Sequence, residues 1–266
     1  MDTVKAIVLR AAGINWDLET QHALELAGAQ AERVHINRVI DNPAMLDDYQ
    51  IMVFPGGFSY GDDVAAGKIL ANQVVHHLSQ ILHKFIADGK LVLGICNGFQ
   101  VMIKTGIVPG LDGAGNLNLT TQKVTLTNND SGKFEDRWVY LQPGTDRCVF
   151  INPDQRIYLP IAHGEGKIVC DSDDTLNTIK SRGYVGFRYV DADGNPGEFP
   201  VNPNGSQDSI AALTDSTGRA MGMMPHPERC VRWTQHPHWT RLKERDGFAD
   251  GMTIFTNAVN YVKENF

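Results

Sequence analysis

A mostly parallel α/β sheet covered by helices is the fold this sequence predicts, and three observations predict it. Apolar runs of buried-strand length recur at residues 4–9, 51–54 and 91–95, and 31–36 reads as a further strand. Amphipathic helical patterns lie between them at 17–27 and at roughly 65–87, closed by Gly28 and Gly89. The connections are short, and strand, helix, strand, strand, helix, strand with short links reads as a parallel sheet with helices on both faces.

Taken in order, the first helix carries Leu18, Ala23, Leu24, Leu26 and Ala27 on one side, and the long helix carries Leu70, Val74, Leu78, Ile81, Leu82 and Phe85. The strand at 91–95 runs into Cys96, and 97–104 reads as the start of a helix. Beyond it the pattern changes. Short strand-like runs at 122–126, 137–141, 157–161, 166–170 and 184–190 follow one another without long helices between them, separated by turn-rich stretches at 128–132 and 191–197. They predict an antiparallel extension of the first sheet or a small second sheet packed on it. Strands at 210–214 and 220–224 return to the core, and a last helix covers roughly 247–263. No internal repeat or low-complexity linker interrupts the chain, so one domain over 1–266 is expected.

Composition excludes several classes of function. A net charge of −7 argues against non-specific binding to nucleic acid or anionic membranes. Cys96, Cys148, Cys170 and Cys230 show no CxxC spacing, which suits a reducing compartment rather than a disulfide framework. A strand begins just after the first residues and no apolar run approaches a membrane span of ~20 residues. A cytoplasmic location is expected.

Chemistry concentrates at the carboxyl ends of parallel strands. Cys96 stands there, between a buried strand and a helix, with Gly94 and Gly98 allowing a sharp turn. This geometry resembles the nucleophile elbow of serine hydrolases with sulfur for oxygen, and a helix N-terminus favours thiolate. A buried structural cysteine is the other reading of the same pattern. A nucleophilic cysteine needs a base and an orienting group. Pro225-His226-Pro227-Glu228 offers both after the 220–224 strand. If the two prolines hold the segment extended, His226 and Glu228 point the same way. Pro55-Gly56-Gly57-Phe58 and the Asn97 N–H could supply backbone donors for an oxyanion.

Three separated motifs, Gly94-Ile95-Cys96-Asn97-Gly98-Phe99-Gln100, Pro55-Gly56-Gly57-Phe58-Ser59-Tyr60-Gly61-Asp62 and Pro225-His226-Pro227-Glu228-Arg229, together resemble the class I (triad) glutamine amidotransferases. Their fold is a flavodoxin-like, mostly parallel sheet flanked by helices, with an antiparallel extension. The second motif and His163-Gly164-Glu165-Gly166-Lys167 resemble one branch in particular. That branch is the glutaminase component of phosphoribosylformylglycinamidine synthase, found as a separate subunit or as the C-terminal domain of a fused enzyme. The resemblance covers nearly the whole chain, with the motifs in the family's order.

The resemblance implies that Cys96 is the nucleophile, His226 the base and Glu228 its orienter. It makes Gly57, Phe58 and Asn97 the backbone oxyanion donors and Gln100 a residue that helps hold glutamine. The loop holding His163 and Lys167 would face the synthase partner. No cofactor and no metal are implied for this chain, with ATP and Mg used by the synthase subunit, and a small bridging subunit is a further implied partner. In keeping with this, the sequence has no GxxxxGK[ST] phosphate loop. Stretches near 128–143, 191–207 and 230–245 look extended relative to the compact stand-alone form and resemble the fused form.

Other readings differ in identifiable features. A glutaminase serving a different acceptor synthase would share the same motifs. A flavodoxin-like cysteine hydrolase without ammonia transfer would take its histidine from beside the cysteine, where Asn97 stands. A non-catalytic scaffold would lack Cys96, His226 or Glu228. His226, His236 and His238 contain a His-x-His ligand pair, yet without a neighbouring Cys or carboxylate cluster they read as a packed or interface loop.

Overall fold

The computed structural model describes residues 3–113, 115–117, 122–242 and 247–266. Its first half alternates β1 (Lys5–Arg10), α1 (Asp17–Leu26), β2 (Gln30–His35), α2 (Ile36–Asp41), β3 (Ile51–Phe54), α3 (Lys68–Ala87), β4 (Leu91–Ile95) and α4 (Asn97–Thr105). The second half holds β5 (Val124–Thr127), β6 (Glu135–Pro143), β7 (Ile157–His163), β8 (Lys167–Cys170), α5 (Asp173–Ser181), β9 (Val185–Val190), β10 (Ile210–Thr214), β11 (Ala220–Met223) and α6 (Met252–Asn265).

Among the described residues the main sheet has the order β2-β1-β3-β4-β11-β10-β9-β6-β7. From β2 to β11 every pairing is parallel, and from β11 to β7 every pairing is antiparallel. β5 and β8 form a separate antiparallel ribbon. Both alternatives offered by the sequence for the second half therefore occur together. The family's flavodoxin-like plan with an antiparallel extension is the observed architecture.

The parallel half owes its stability to strands covered on both faces. Every residue of β3 and β4 is buried, as expected when helices pack on each side. α3 lays Leu70, Val74, Leu78, Leu82 and Phe85 onto the sheet, each fully buried aliphatic side chain contributing about 1.5–3 kcal/mol. α4 is buried all round, which fixes its first turn rigidly over the ends of β3 and β4. In the antiparallel half β6 alternates instead, with Val139 and Leu141 buried and Trp138 and Tyr140 partly exposed.

Local departures from the sequence reading have physical causes. α2 is too short to show a helical period. α5 buries only Thr175 and Ile179, and its start is marked by Ser172, whose Oγ accepts from the Thr175 N–H at 3.2 Å. Leu18 is 58% exposed, because Thr20, Ala23 and Leu24 form the inward face of α1. α6 starts five residues later than expected (252 against 247), since Phe248 first pairs with Arg232 in a β-bridge. Of the 230–245 stretch, residues 243–245 lie outside the described residues. No helix among the described residues is long and apolar enough to cross a membrane.

Candidate active site

The site is organised where β4 ends. Cys96 caps α4 with φ 50° and ψ −107°, a backbone conformation that L residues rarely adopt. Its N–H donates to the Met223 carbonyl at 2.8 Å, so β11 holds the strained turn in place. Gly98 is required two residues on. A Cβ there would lie 1.8 Å from the Phe54 carbonyl oxygen, so α4 could not approach β3 with any other residue.

β11 runs parallel to β4 and delivers the next segment to the same edge. His226 follows it, its N–H donating to the Pro160 carbonyl at 2.9 Å. His226 Nδ1 and Glu228 Oε1 are 2.6 Å apart in a buried pair. The pairing forms, but not through the extended chain expected from the flanking prolines. Pro227–Arg229 is a turn of 3-10 helix, and this turn brings Glu228 back under the ring. Burial alone would push the imidazole pKa down. The negative charges of Glu228 and Cys96, with the hydrogen bond to Glu228, override that and raise it. The Nε2 edge makes no aligned hydrogen bond, and the Cys96 thiol points to the Ala162 carbonyl at 3.7 Å.

Gly56 lets the ring sit where it does, since a Cβ at this position would meet His226 Cε1 at 2.9 Å. Trp16 closes the far side, its ring centroid 5.8 Å from that of His226, and Arg229 stacks on Trp16 at 4.3 Å. Sequence reading singled out neither Trp16 nor the carbonyl of Gly13, for nothing local marks a loop residue that is used only in three dimensions.

The 55–62 loop is fastened to the elbow by Asn97. Its Oδ1 accepts from the Ser59 N–H at 3.0 Å, and its Nδ2 donates to Asp62 at 3.1 Å and Gln100 at 2.9 Å. Asp62 in turn accepts from the Gly67 N–H ahead of α3. The N–H groups of Gly57 and Asn97 make no hydrogen bond to the described residues and can serve an oxyanion. Phe58 is corrected: its N–H donates to the Gly13 carbonyl at 2.9 Å, so it contributes a wall rather than a free donor. A cavity of about 160 Å³ opens over Cys96, lined by Gly57, Phe58, Gln100, Phe134, His163 and Glu165 among others.

Comparison with known proteins shows the family. Residues 3–262 match the CobB/CobQ-like glutamine amidotransferase domain. The chain belongs to this glutamine amidotransferase family. It is 47% identical over 268 residues to phosphoribosylformylglycinamidine synthase subunit PurQ of Dehalococcoides mccartyi, covering 99% of this chain and 100% of that one. It is 41% identical over 270 residues to the PurQ subunit of Methanococcus maripaludis, covering 97% of each. The PurLQS structure from Thermotoga maritima superimposes with a TM-score of 0.71 at 30% identity, covering 98% of this chain and 100% of that one.

Within this amidotransferase the remaining expected residues fall into two groups. Gln100 lines the cavity, but both ends of its amide are engaged: Nε2 donates to the Glu165 carbonyl at 2.7 Å while Oε1 accepts from Asn97. It thus ties the 163–167 loop to the elbow helix. His163 is corrected. Instead of turning outward to a partner, it is 3% exposed and lines the Cys96 cavity. Burial, helped by the nearby charge of His226, pushes its pKa down to about 3. Lys167 is partly exposed and pairs with Asp130 at 2.6 Å. The other cysteines are chemically quiet, since burial raises Cys148 and Cys230 to about 12 and Cys170 to about 11. His236 packs among aromatic rings, 5.0 Å from Trp233 and 5.4 Å from Tyr158.

Proposed function

We propose that this chain hydrolyses glutamine on Cys96 as the glutaminase component of phosphoribosylformylglycinamidine synthase. The observation that carries the reading is that β11, parallel to β4 and bonded to the strained Cys96 turn, delivers the buried His226–Glu228 pair to the same sheet edge, near enough for the Cys96 charge to act on the imidazole. Relatives that share 40–47% identity across nearly this whole length carry the name of that synthase's PurQ subunit.

The steps follow from the geometry. Cys96 thiolate attacks the glutamine carboxamide, and the N–H groups of Gly57 and Asn97 take the charge of the oxyanion. The raised His226 holds a proton and gives it to the leaving nitrogen, which departs as ammonia and leaves a γ-glutamyl thioester. Glu228 keeps the imidazole oriented and stabilises its charged form. Neutral His226 then takes a proton from water, whose oxygen displaces Cys96 and releases glutamate. Ammonia free in neutral water would be protonated and lose its nucleophilicity, so it passes to the acceptor within an assembled complex.

The acceptor step is the ATP-dependent amidation of formylglycinamide ribonucleotide on the synthase subunit, which holds the ATP and Mg, and this chain needs no cofactor of its own. Lys167, partly exposed in the loop that follows His163, belongs to the partner-facing side, with a small bridging subunit as a second contact. Buried free thiols at all four cysteines fit a cytoplasmic protein.

The test is reconstitution. The full chain mixed with the synthase, ATP, glutamine and formylglycinamide ribonucleotide should form the amidine. Cys96→Ala should abolish use of glutamine while ammonium salt restores product. Glutamine-dependent product from Cys96→Ala would overturn the reading.

A further inference from the structure

His163 contributes more to this site than the shape of a loop. Its Nδ1 lies 3.1 Å from Asn129 Oδ1. The Asn129 amide can be oriented only one way, because its Nδ2 donates to the carbonyls of Lys133 at 2.9 Å and His163 at 2.8 Å. Its Oδ1 also accepts from the Gly166 N–H at 3.1 Å. Oδ1 is therefore an acceptor, and the His163 Nδ1 must carry the proton. Nε2 is left as a bare lone pair.

That lone pair is buried and has no partner among the described residues. Elsewhere in folded proteins such an acceptor is almost always satisfied, so one left open beside a catalytic cysteine points to a ligand. The ring is closely packed. It lies against Gly166, where a Cβ would stand 2.1 Å from Cε1 and 2.7 Å from Nε2. The residue lines the same cavity as Cys96, directly after Ala162, whose carbonyl accepts from the thiol. It also feels the charge of His226.

We propose that His163 Nε2 accepts a hydrogen bond from the carboxamide N–H of glutamine and then from the departing ammonia, positioning nitrogen without protonating it. This deepens the glutaminase reading and rests on it. The chemistry separates the two imidazoles cleanly: His226 holds the proton that the leaving nitrogen needs, while burial keeps His163 neutral at working pH. A neutral acceptor can hold ammonia by its N–H without converting it to ammonium.

The test compares two substrates on one preparation of the assembled complex: glutamine, and the γ-methyl ester of glutamate, whose leaving group is oxygen and presents no N–H. His163→Asn keeps a donor for Asn129 and removes the acceptor; His163→Gln places an acceptor oxygen near the position of Nε2. The ratio of kcat/KM for glutamine to that for the ester should fall about tenfold in His163→Asn, the loss of one hydrogen bond, and return to within about threefold in His163→Gln. The ratio cancels the fraction of folded enzyme, so poor folding does not mask the result. An unchanged ratio in both variants, however far the absolute rates fall, overturns the role of His163 alone. A wild-type complex that cleaves neither substrate overturns the glutaminase reading, and this inference with it.

Discussion

On one side of Cys96, a 3-10 turn after β11 places Glu228 against His226 and raises its pKa. On the other, the end of β7 places His163 against the neutral Asn129 and burial drops its pKa to about 3. Both rings are almost fully buried. The difference lies in the partner: a carboxylate outweighs the desolvation of a charged imidazole, and a carboxamide does not. One fold thus holds a proton donor and a proton-free acceptor around the same sulfur.

Removing the charge that separates the two should have the largest effect. Glu228→Gln leaves the geometry nearly isosteric but withdraws the stabilisation of imidazolium, and should lower kcat for glutamine by about 10⁴-fold, as expected when the orienting acid of a triad is neutralised. Steady-state kinetics of the reconstituted complex checks it. A loss under tenfold would mean that Glu228 shapes the turn and does little for the proton.

A smaller effect is expected on the other side. Asn129→Ala strands the N–H groups of His163 and Gly166 and the carbonyls of Lys133 and His163 in a buried place. It should destabilise the fold by about 2–3 kcal/mol, read from urea midpoints. Unchanged midpoints would show that water satisfies these groups as well as Asn129 does.

The pH dependence of stability separates the two sides as well, and there the two histidines should act with opposite sign. His163 has a folded pKa of about 3 against an ordinary 6.5, so across that window the unfolded chain binds the extra proton. Its contribution is complete above about 6.5 and lost as pH falls toward 3. His226 is raised, so its contribution is complete below 6.5 and lost as pH climbs through its folded value. Urea midpoints across pH should show wild type losing stability in acid faster than His163→Asn. Parallel curves would place the acid sensitivity elsewhere.

Much of this architecture was legible from pattern alone. The β3 and β4 runs are apolar throughout because helices cover both faces of parallel strands, and such runs appear in a sequence as plainly as in a fold. Cys96 was legible for a related reason. A reactive residue between a buried strand and a helix, flanked by glycines, can occupy only a tight turn at the sheet's edge. The antiparallel half was harder to read, because its strands are short and α5 lacks an apolar stripe.

The sequence by itself determined the run of strands and helices in the parallel half, the elbow at Cys96 and the pairing of His226 with Glu228, since each depends on residues close together along the chain. Tertiary structure alone decided which N–H groups stay open, for the Phe58 N–H is taken by a carbonyl 45 residues earlier (58 against 13). It also decided that His163 turns inward to the sulfur instead of outward to a partner. Hydrogen bonding and burial at those positions depend on segments that meet only when strands distant in sequence come to lie side by side in one sheet.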